Sequence, residues 1–342
     1  MKKQLTLLAA CVLAGVAGAY ATCWRINPSP FAKAQFKTVA EAMADVNVLP
    51  GDTLLLDPGT HGYVDTRSRK NMTIIGPGYF LDQNKKWTES QTAVISEQCC
   101  LGENSKIEGC IITATPVYGI TAFELGKNAV VERCKLNYVA ASNENTISGC
   151  MISSLVCGGY SKIYNNILIG GYNVSFSGGE GVIFENNIVI GNKYGVILEA
   201  FVNSQIKNNI IINTIEGFDA NQVPYTSITL SYEGNNVIQN NVLSTAERYK
   251  NLSYPNNYYV GATVENTFVN EGSDDAKWQL LSTSAAKGAA THGGDCGAFG
   301  GPTPYVLSGI PMFLPHITEA LVPAKPTNGK ITVKLKIENQ NE

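Results

Sequence analysis

One anchor recurs through the middle of this chain at unequal intervals. An apolar residue, a spacer, a small or amide residue and then Asn or Cys appear from Ile107 to Cys110, Val131 to Cys134 and Ile147 to Cys150. The series continues from Ile163 to Asn166, Phe184 to Asn187, Ile206 to Asn209 and Ile238 to Asn241, with a degenerate last member from Val264 to Thr267. Successive anchors stand about 16 to 32 residues apart, the range of stacked solenoid units. The segments between them are short, rich in Val and Ile, broken by Gly, Asn and Ser, and show no helical period. A fixed anchor with variable spacing fits a β-solenoid, because coil length can change in the loops while the strands stay in register. Each unit buries its apolar face only against neighbours about 4.8 Å away.

The paired amides need a separate reason, since strands disfavour Asn. At a tight corner Asn tolerates the left-handed backbone that Val and Ile cannot adopt. Its amide also both donates and accepts, so identical residues in successive coils can bond to one another. The inner residues Asn166, Asn187, Asn209 and Asn241 are expected to form such a ladder, with each outer neighbour facing solvent or holding the backbone. Cys110, Cys134 and Cys150 occupy the same slot and read as a stack of buried thiols acting as small apolar fillers. Cys23, Cys99, Cys100, Cys157 and Cys296 show no CxxC spacing, so a zinc site is not indicated.

Composition removes some function classes. The 342 residues carry a formal net charge of −3, so neither a nucleic-acid-binding surface nor a disordered acidic tail is expected. At the N-terminus, Lys2 and Lys3 precede an apolar run from Leu5 to Gly18 and then Ala19-Tyr20-Ala21, a small-x-small cleavage site. We read residues 1–21 as an export signal, 22–300 as the solenoid with its N-terminal cap, and 301–342 as a closing segment with an edge strand. The product is expected to be exported, monomeric and without a transmembrane segment. Leu8-Ala9-Ala10-Cys11 also resembles a lipobox, which would make Cys11 a lipidated N-terminus.

These residues resemble the right-handed parallel β-helix of the pectate-lyase-like superfamily, from about Phe36 to about Ala298. Thr38-Val39-Ala40-Glu41 reads as a capping box opening an amphipathic helix with Val39, Met43 and Val46 on one side, similar to the cap over the first coil in that superfamily. The stretch from Gly51 to His61 resembles the family's "GDTI.L.PGTY" opening strand, and Asn71 begins a further scaffold motif, NMTIIGPG. The resemblance implies an all-β fold with an N-terminal cap helix and an irregular C-terminal cap. Asp295 to Gly301, followed by Pro302, Pro304, Pro311 and Pro315, reads as backbone closing the solenoid. The alternation from Ile331 to Ile337 reads as a strand guarding its open edge.

By analogy with the family, the middle strands run from Val174 to Ser177, Gly195 to Glu199 and Ile228 to Ser231. Alternation sends Val174, Phe176, Val196, Leu198, Ile228 and Leu230 inward and leaves Ser175, Ser177, Ile197, Glu199, Thr229 and Ser231 outside. In that superfamily the outer face usually carries the saccharide groove. Loops lengthen beside it at 213–226, with Glu216, Asp219 and Tyr225, and at 246–257, with Arg248, Tyr249, Lys250 and Tyr254. We take Glu199, Asp219, Lys250 and Arg248 as candidate catalytic groups: a base for a lyase, or two carboxylates for a hydrolase. Tyr194, Tyr225 and Tyr254 would stack on sugar rings, and Thr229 and Ser231 would meet hydroxyls. No definite cofactor is indicated, and Ca²⁺ at Glu199, Glu216 and Asp219 would suit a lyase. No compact Asp cluster of the pectate-lyase kind and no complete polygalacturonase pattern is present. The resemblance implies a polysaccharide or cell-envelope glycan as partner, bound or processed; the missing catalytic patterns favour the alternative, a noncatalytic envelope or adhesion scaffold. His61 and His316 read as structural or exposed.

Overall fold

A computed structural model describes residues 21–69, 71–84, 91–114, 123–170, 174–177, 179–191, 196–213, 228–233, 235–244, 258–311 and 315–338, with the backbone alone at 174–177, 196–200, 228–233, 258–260 and 316. Strands of two to seven residues stack in parallel into three sheets. Sheet 1 has ten strands, from Cys23–Ile26 to Val237–Gln239; sheet 2 has ten, from Gly59–His61 to Tyr258–Val260; sheet 3 has eight, from Val64–Asp65 to Ile228–Glu233. The chain visits sheets 1, 2 and 3 in turn and pairs each strand with its equivalent one coil on. With right-handed crossovers between parallel strands, this is the right-handed parallel β-helix. The interior is continuous: Val64, Cys99, Phe123, Val139 and Leu155 are buried in consecutive coils of sheet 3, and the register carries that column on to Phe176, Leu198 and Leu230.

The two members of each Asn pair have different tasks. The first, at Asn165, Asn186, Asn208 and Asn240, takes the left-handed backbone with φ between 54° and 57°, and Gly109, Arg133 and Gly149 take that turn in earlier coils. The second points into the coil interior. Asn166 Nδ2 donates to Asn187 Oδ1 at 3.1 Å, Asn187 Nδ2 to Asn209 Oδ1 at 3.1 Å, and Asn209 Nδ2 to Asn241 Oδ1 at 2.9 Å. The same Oδ1 atoms accept the backbone N–H of Asn166, Asn187 and Asn209 at 2.8 to 3.0 Å. Each remaining Nδ2 hydrogen reaches a carbonyl, that of Ile147, Ile163 or Phe184, at 2.9 Å. Asn166, Asn187 and Asn209 are 0% exposed, and their amides are fully engaged, which buried amides require.

Toward the N-terminus the same column holds thiols. Cys150 N–H donates to Asn166 Oδ1 at 2.9 Å, and Cys134 N–H lies 3.4 Å from Cys150 Sγ. Cys110, Cys134 and Cys150 are buried free thiols, whereas Cys23 is exposed. Burial pushes the Cys134 thiol up to about 12. Alkylation of the folded protein near pH 8 is therefore expected to modify Cys23 and to spare Cys110, Cys134 and Cys150. Peptide mass mapping reads this, and labelling of any of those three before unfolding would contradict the packed column.

The N-terminal helix is shorter than its pattern suggests. It spans Val39–Ala44, capped by Thr38 Oγ1, which accepts Glu41 N–H at 3.1 Å, while Glu41 Oε2 reaches back to Lys37 N–H at 2.8 Å. Val39, Ala42 and Val48 enter the core, Met43 is partly buried, and Val46 is 82% exposed because it follows the helix end. The helix packs against Val64–Asp65. Arg69 donates to the carbonyls of Met43, Asp45 and Val48, satisfying the acceptors a helix end leaves open.

The C-terminal region corrects the expectation of an irregular cap closing the end. Residues 261–311 form a strap that lies lengthwise over the outer face of sheet 2. Phe268, Trp278, Ala286, Ala290, Cys296, Ala298 and Tyr305 bury Ile167, Ile188, Ile190, Ile210, Ile212 and Val242 in a second apolar cluster. The outer Asn row does not face solvent but holds this strap. Asn165 Nδ2 donates to Ala298 O at 2.8 Å and Gly300 O at 2.6 Å, Asn186 Nδ2 to Asp295 O at 3.3 Å, Asn208 Nδ2 to Thr291 Oγ1 at 2.9 Å, and Asn240 Nδ2 to Ala289 O at 2.8 Å. Gly297, at φ +84°, passes so close that an added Cβ would sit 2.6 Å from Ile210 Cδ1. The strap extends to Tyr79 and Phe80, so a boundary at 300/301 falls inside it. The last strand, Lys334–Glu338, pairs antiparallel with His316–Leu321 in a separate two-stranded sheet rather than with any solenoid sheet.

Candidate functional site

The outer face of sheet 3 carries a column of register positions from Asp65 through Cys100, Glu124, Ala140, Val156 and Ser177 to Glu199. Its N-terminal end is polar. Tyr63, Asp65 and Arg67 follow one another at a spacing of two, which sends successive side chains of an extended segment to one side. Asp65 accepts from Tyr63 Oη at 2.7 Å, from Arg67 N at 2.9 Å, and from Arg67 Nη2 at 2.7 Å and Nε at 3.0 Å. The other arm of the guanidinium, Nη1, lies 3.2 Å from Glu124 Oε2 two coils away. Cys100 sits between them in register, with Sγ 3.7 Å from Glu124 Oε2.

Fixed charge sets the ionisation here. The hydrogen bonds from Arg67 hold Asp65 down to about 2 against the opposing effect of burial. The hydrogen bond to Asp65 pushes the Tyr63 hydroxyl up. Burial drives the Cys100 thiol up to about 11, with Arg67 opposing and Glu124 and Asp65 reinforcing, so Cys100 stays neutral near pH 7. Asp65 thus presents acceptor oxygens, Glu124 Oε2 accepts from Arg67 Nη1, and Arg67 is fixed between the two side chains.

Beside this group lies a concavity of about 390 Å³, lined by Arg67, Glu124, Glu103, Lys127 and Ser142 and floored by the backbone of Leu101–Gly102 and Leu125–Gly126. The floor is a stack of turns too tight for side chains: a Cβ on Gly102 would meet Thr66 O at 2.6 Å, and one on Gly126 would meet Glu103 N at 2.8 Å. Lys127 Nζ is 3.0 Å from Glu144 Oε1 at the rim. Arg67 is about half exposed, as is Lys127 at 61%, so both can still reach a bound molecule.

Of the residues singled out from the sequence, Glu199 takes its place in the same register column, on the strand Val196–Val202. Thr229 pairs in register with Ile197, and Ser231 lies on the same strand, Ile228–Glu233. Tyr194, Glu216, Asp219, Tyr225, Arg248, Lys250 and Tyr254 lie outside the described residues. Among the described residues, no three or more His, Cys, Asp or Glu side chains are grouped to hold a metal ion, and no helix is long and apolar enough to cross a membrane. His61 is buried with Nε2 2.8 Å from Asp57 O, and that burial lowers its pKa. Sequence reasoning passed over Tyr63, Asp65, Arg67 and Glu124. The period-two run Tyr63-Val64-Asp65-Thr66-Arg67, directly after a glycine-rich opening strand, was the signal available.

No protein-family model matches the chain, and no curated protein does. Among solved structures it is similar to a pectin methylesterase in complex with a hexasaccharide, at 12% identity over 76% of this chain and 98% of that one, with a TM-score of 0.31. It is also similar to a mutant of a PL6 family alginate lyase, at 11% identity over 73% of this chain and 57% of that one, with a TM-score of 0.25. The stacked strand order of its three sheets makes this chain a right-handed parallel β-helix.

Proposed function

We propose that the chain is an exported saccharide-binding protein whose contact surface is the outer face of sheet 3. The observation that carries this is Arg67, half exposed and held by Asp65 and Glu124 beside Tyr63 at the mouth of the concavity. Carboxylate oxygens and a fixed guanidinium match the donors and acceptors of sugar hydroxyls, and the 41% exposed Tyr63 ring offers a flat face to a pyranose. Sheet 2 is taken up by the strap, which packs on that sheet and not on the sheet 3 column. From Asp65 to Glu199 the column spans six coil steps, on the order of 29 Å at the strand spacing, enough for several sugar rings.

Charge sets the preferred sugar. Asp65, Glu103 and Glu124 outnumber Arg67 and Lys127 around the concavity, and like charge opposes a polyuronate. The reading therefore favours a neutral glycan at this end. Processing, as a lyase or hydrolase, is proposed for Glu199 with Asp219, Arg248 and Lys250, and its support is the register position of Glu199 alone.

Titration calorimetry against soluble neutral and uronate polysaccharides tests the binding. Arg67→Ala and Tyr63→Ala are each expected to weaken the neutral ligand about tenfold, near 1.4 kcal/mol, with the thermal midpoint unchanged within a degree or two. Wild-type affinity in both variants would place the contact surface elsewhere, and no binding to any polymer would remove the proposal.

A further inference from the structure

At the start of sheet 1 a buried carboxylate faces Thr22, just before the first strand. Asp52 is 3% exposed, and its oxygens accept from the backbone N of Thr22 at 2.7 Å, from Trp24 Nε1 at 2.8 Å and from Leu49 N at 2.9 Å. Among the described residues no side-chain cation lies within ion-pair distance of it. Burial opposes its ionisation, yet the bonds from Leu49, Trp24 and Thr22 with the more distant charge of Arg69 leave its pKa below the usual value. Thr22 is also fixed from the other side, since its carbonyl accepts Thr53 N–H at 2.8 Å, and the strand Cys23–Ile26 begins immediately after it. Thr22 itself is exposed.

The residue that Asp52 grips is the one following the small-x-small sequence Ala19-Tyr20-Ala21. We propose that the chain is cut between Ala21 and Thr22, and that the new α-ammonium of Thr22 forms an ion pair with Asp52 that locks the first strand. In the cut, water adds its hydroxyl to the Ala21 acyl carbon and a proton to the Thr22 nitrogen. The amine then takes up a second proton from solvent to become the ammonium. A neutral amide N–H on an anionic, buried carboxylate is thereby replaced by an ammonium–carboxylate ion pair at a separation already within its range. The removal of residues 1–21 and the completion of the fold thus become one event: processing places a positive charge at hydrogen-bond distance from Asp52.

The pH dependence follows with its sign. A free α-amino group titrates at about 7.7 to 8.0, and pairing with Asp52 raises that value in the folded chain. The stabilisation is complete below about 7.7 and is lost as pH rises through the raised folded value.

The test uses two full chains, one beginning at Thr22 through a fusion cleaved to leave that residue first, the other beginning at Ala21. The Thr22 chain is expected to melt higher at pH 7 by at least about 2 °C, with the gap closing by pH 10. Asp52→Asn is expected to remove the gap in the same way. If Asp52→Asn does not fold, the pH-dependent gap between the two unsubstituted chains decides alone. Mass analysis of the chain recovered after export should give Thr22 as the first residue. Equal melting at pH 7, a gap that persists at pH 10, or a mature N-terminus at Cys11 would overturn the proposal.

Discussion

Replacing Asn187 by alanine is expected to destabilise the protein by about 3 to 5 kcal/mol. The substitution leaves two buried donors without partners, the Asn166 N–H and one hydrogen of Asn166 Nδ2, and removes the side-chain bond to the Ile163 carbonyl. Each donor costs about 1 to 3 kcal/mol when orphaned away from water, and the coil can relax only in part because it is clamped by neighbours on both sides. The loss falls in the middle of a quasi-one-dimensional stack, where stability is a sum of units and interfaces. Urea unfolding is therefore expected to broaden or split, with the coils on either side of Asn187 separating. Asn187→Cys should lose less, because Cys150 already occupies this column and its sulfur lies within reach of the Cys134 N–H. Asn187→Asp should resemble alanine, since it removes both donors and buries a charge. An alanine variant within 1 kcal/mol of wild type, unfolding in one sharp transition, would mean that the amide column contributes little to holding adjacent coils.

That column was legible in the sequence because its physics is local. An amide at a fixed distance after an apolar residue, repeated through the chain, has few structural uses, and the stacked strands around Asn166, Asn187, Asn209 and Asn241 follow the registers it suggested. The role of the outer Asn was half legible. Its left-handed backbone follows from residue type, but its partners Ala298, Asp295, Thr291 and Ala289 lie about 50 to 135 residues away in a segment with no periodicity. Val46 shows the same limit at the helix: a period of 3.6 places it beside Val39 and Met43, yet the chain leaves the helix at Ala44 and Val48 takes the buried place. For the site, loop length points to 213–226 and 246–257. The tight group at Tyr63, Asp65 and Arg67 sits in an unremarked short segment and is completed by Glu124 only through stacking. Cross-coil pairs of this kind have no sequence spacing of their own, so residue order alone does not reveal them.

Asp275→Ala is expected to free the strap, the second large effect. The carboxylate is 0% exposed. It accepts from Ser273 Oγ at 2.6 Å, from Ser308 N at 2.6 Å and from Tyr305 Oη at 3.5 Å, so it ties residues 273–275 to residues 305–308. The same knot grips the solenoid: the Tyr305 and Tyr79 hydroxyls bond to each other, Tyr79 N donates to Ser308 O at 2.7 Å, and Asn84 Nδ2 bonds to Ser308 Oγ. Alanine leaves the Ser308 N–H and two hydroxyls facing a buried void, a cost of roughly 3 kcal/mol or more from lost hydrogen bonds to a charged group. Local opening of the strap would uncover Ile188, Ile190, Ile210 and Ile212 on sheet 2, so the variant should bind hydrophobic dye and lose amide protection across 262–311 while the ladder coils keep theirs. Tyr305→Phe removes the longest of the three bonds together with the bond between the Tyr305 and Tyr79 hydroxyls, and should cost about 2 kcal/mol. Asp275→Asn keeps one acceptor for Ser308 and should fall between the two. Unchanged protection across 262–311 in the alanine variant would show that the outer Asn row holds the strap without the knot. A loss of protection that spread equally to the ladder coils would show that strap and solenoid unfold as one unit.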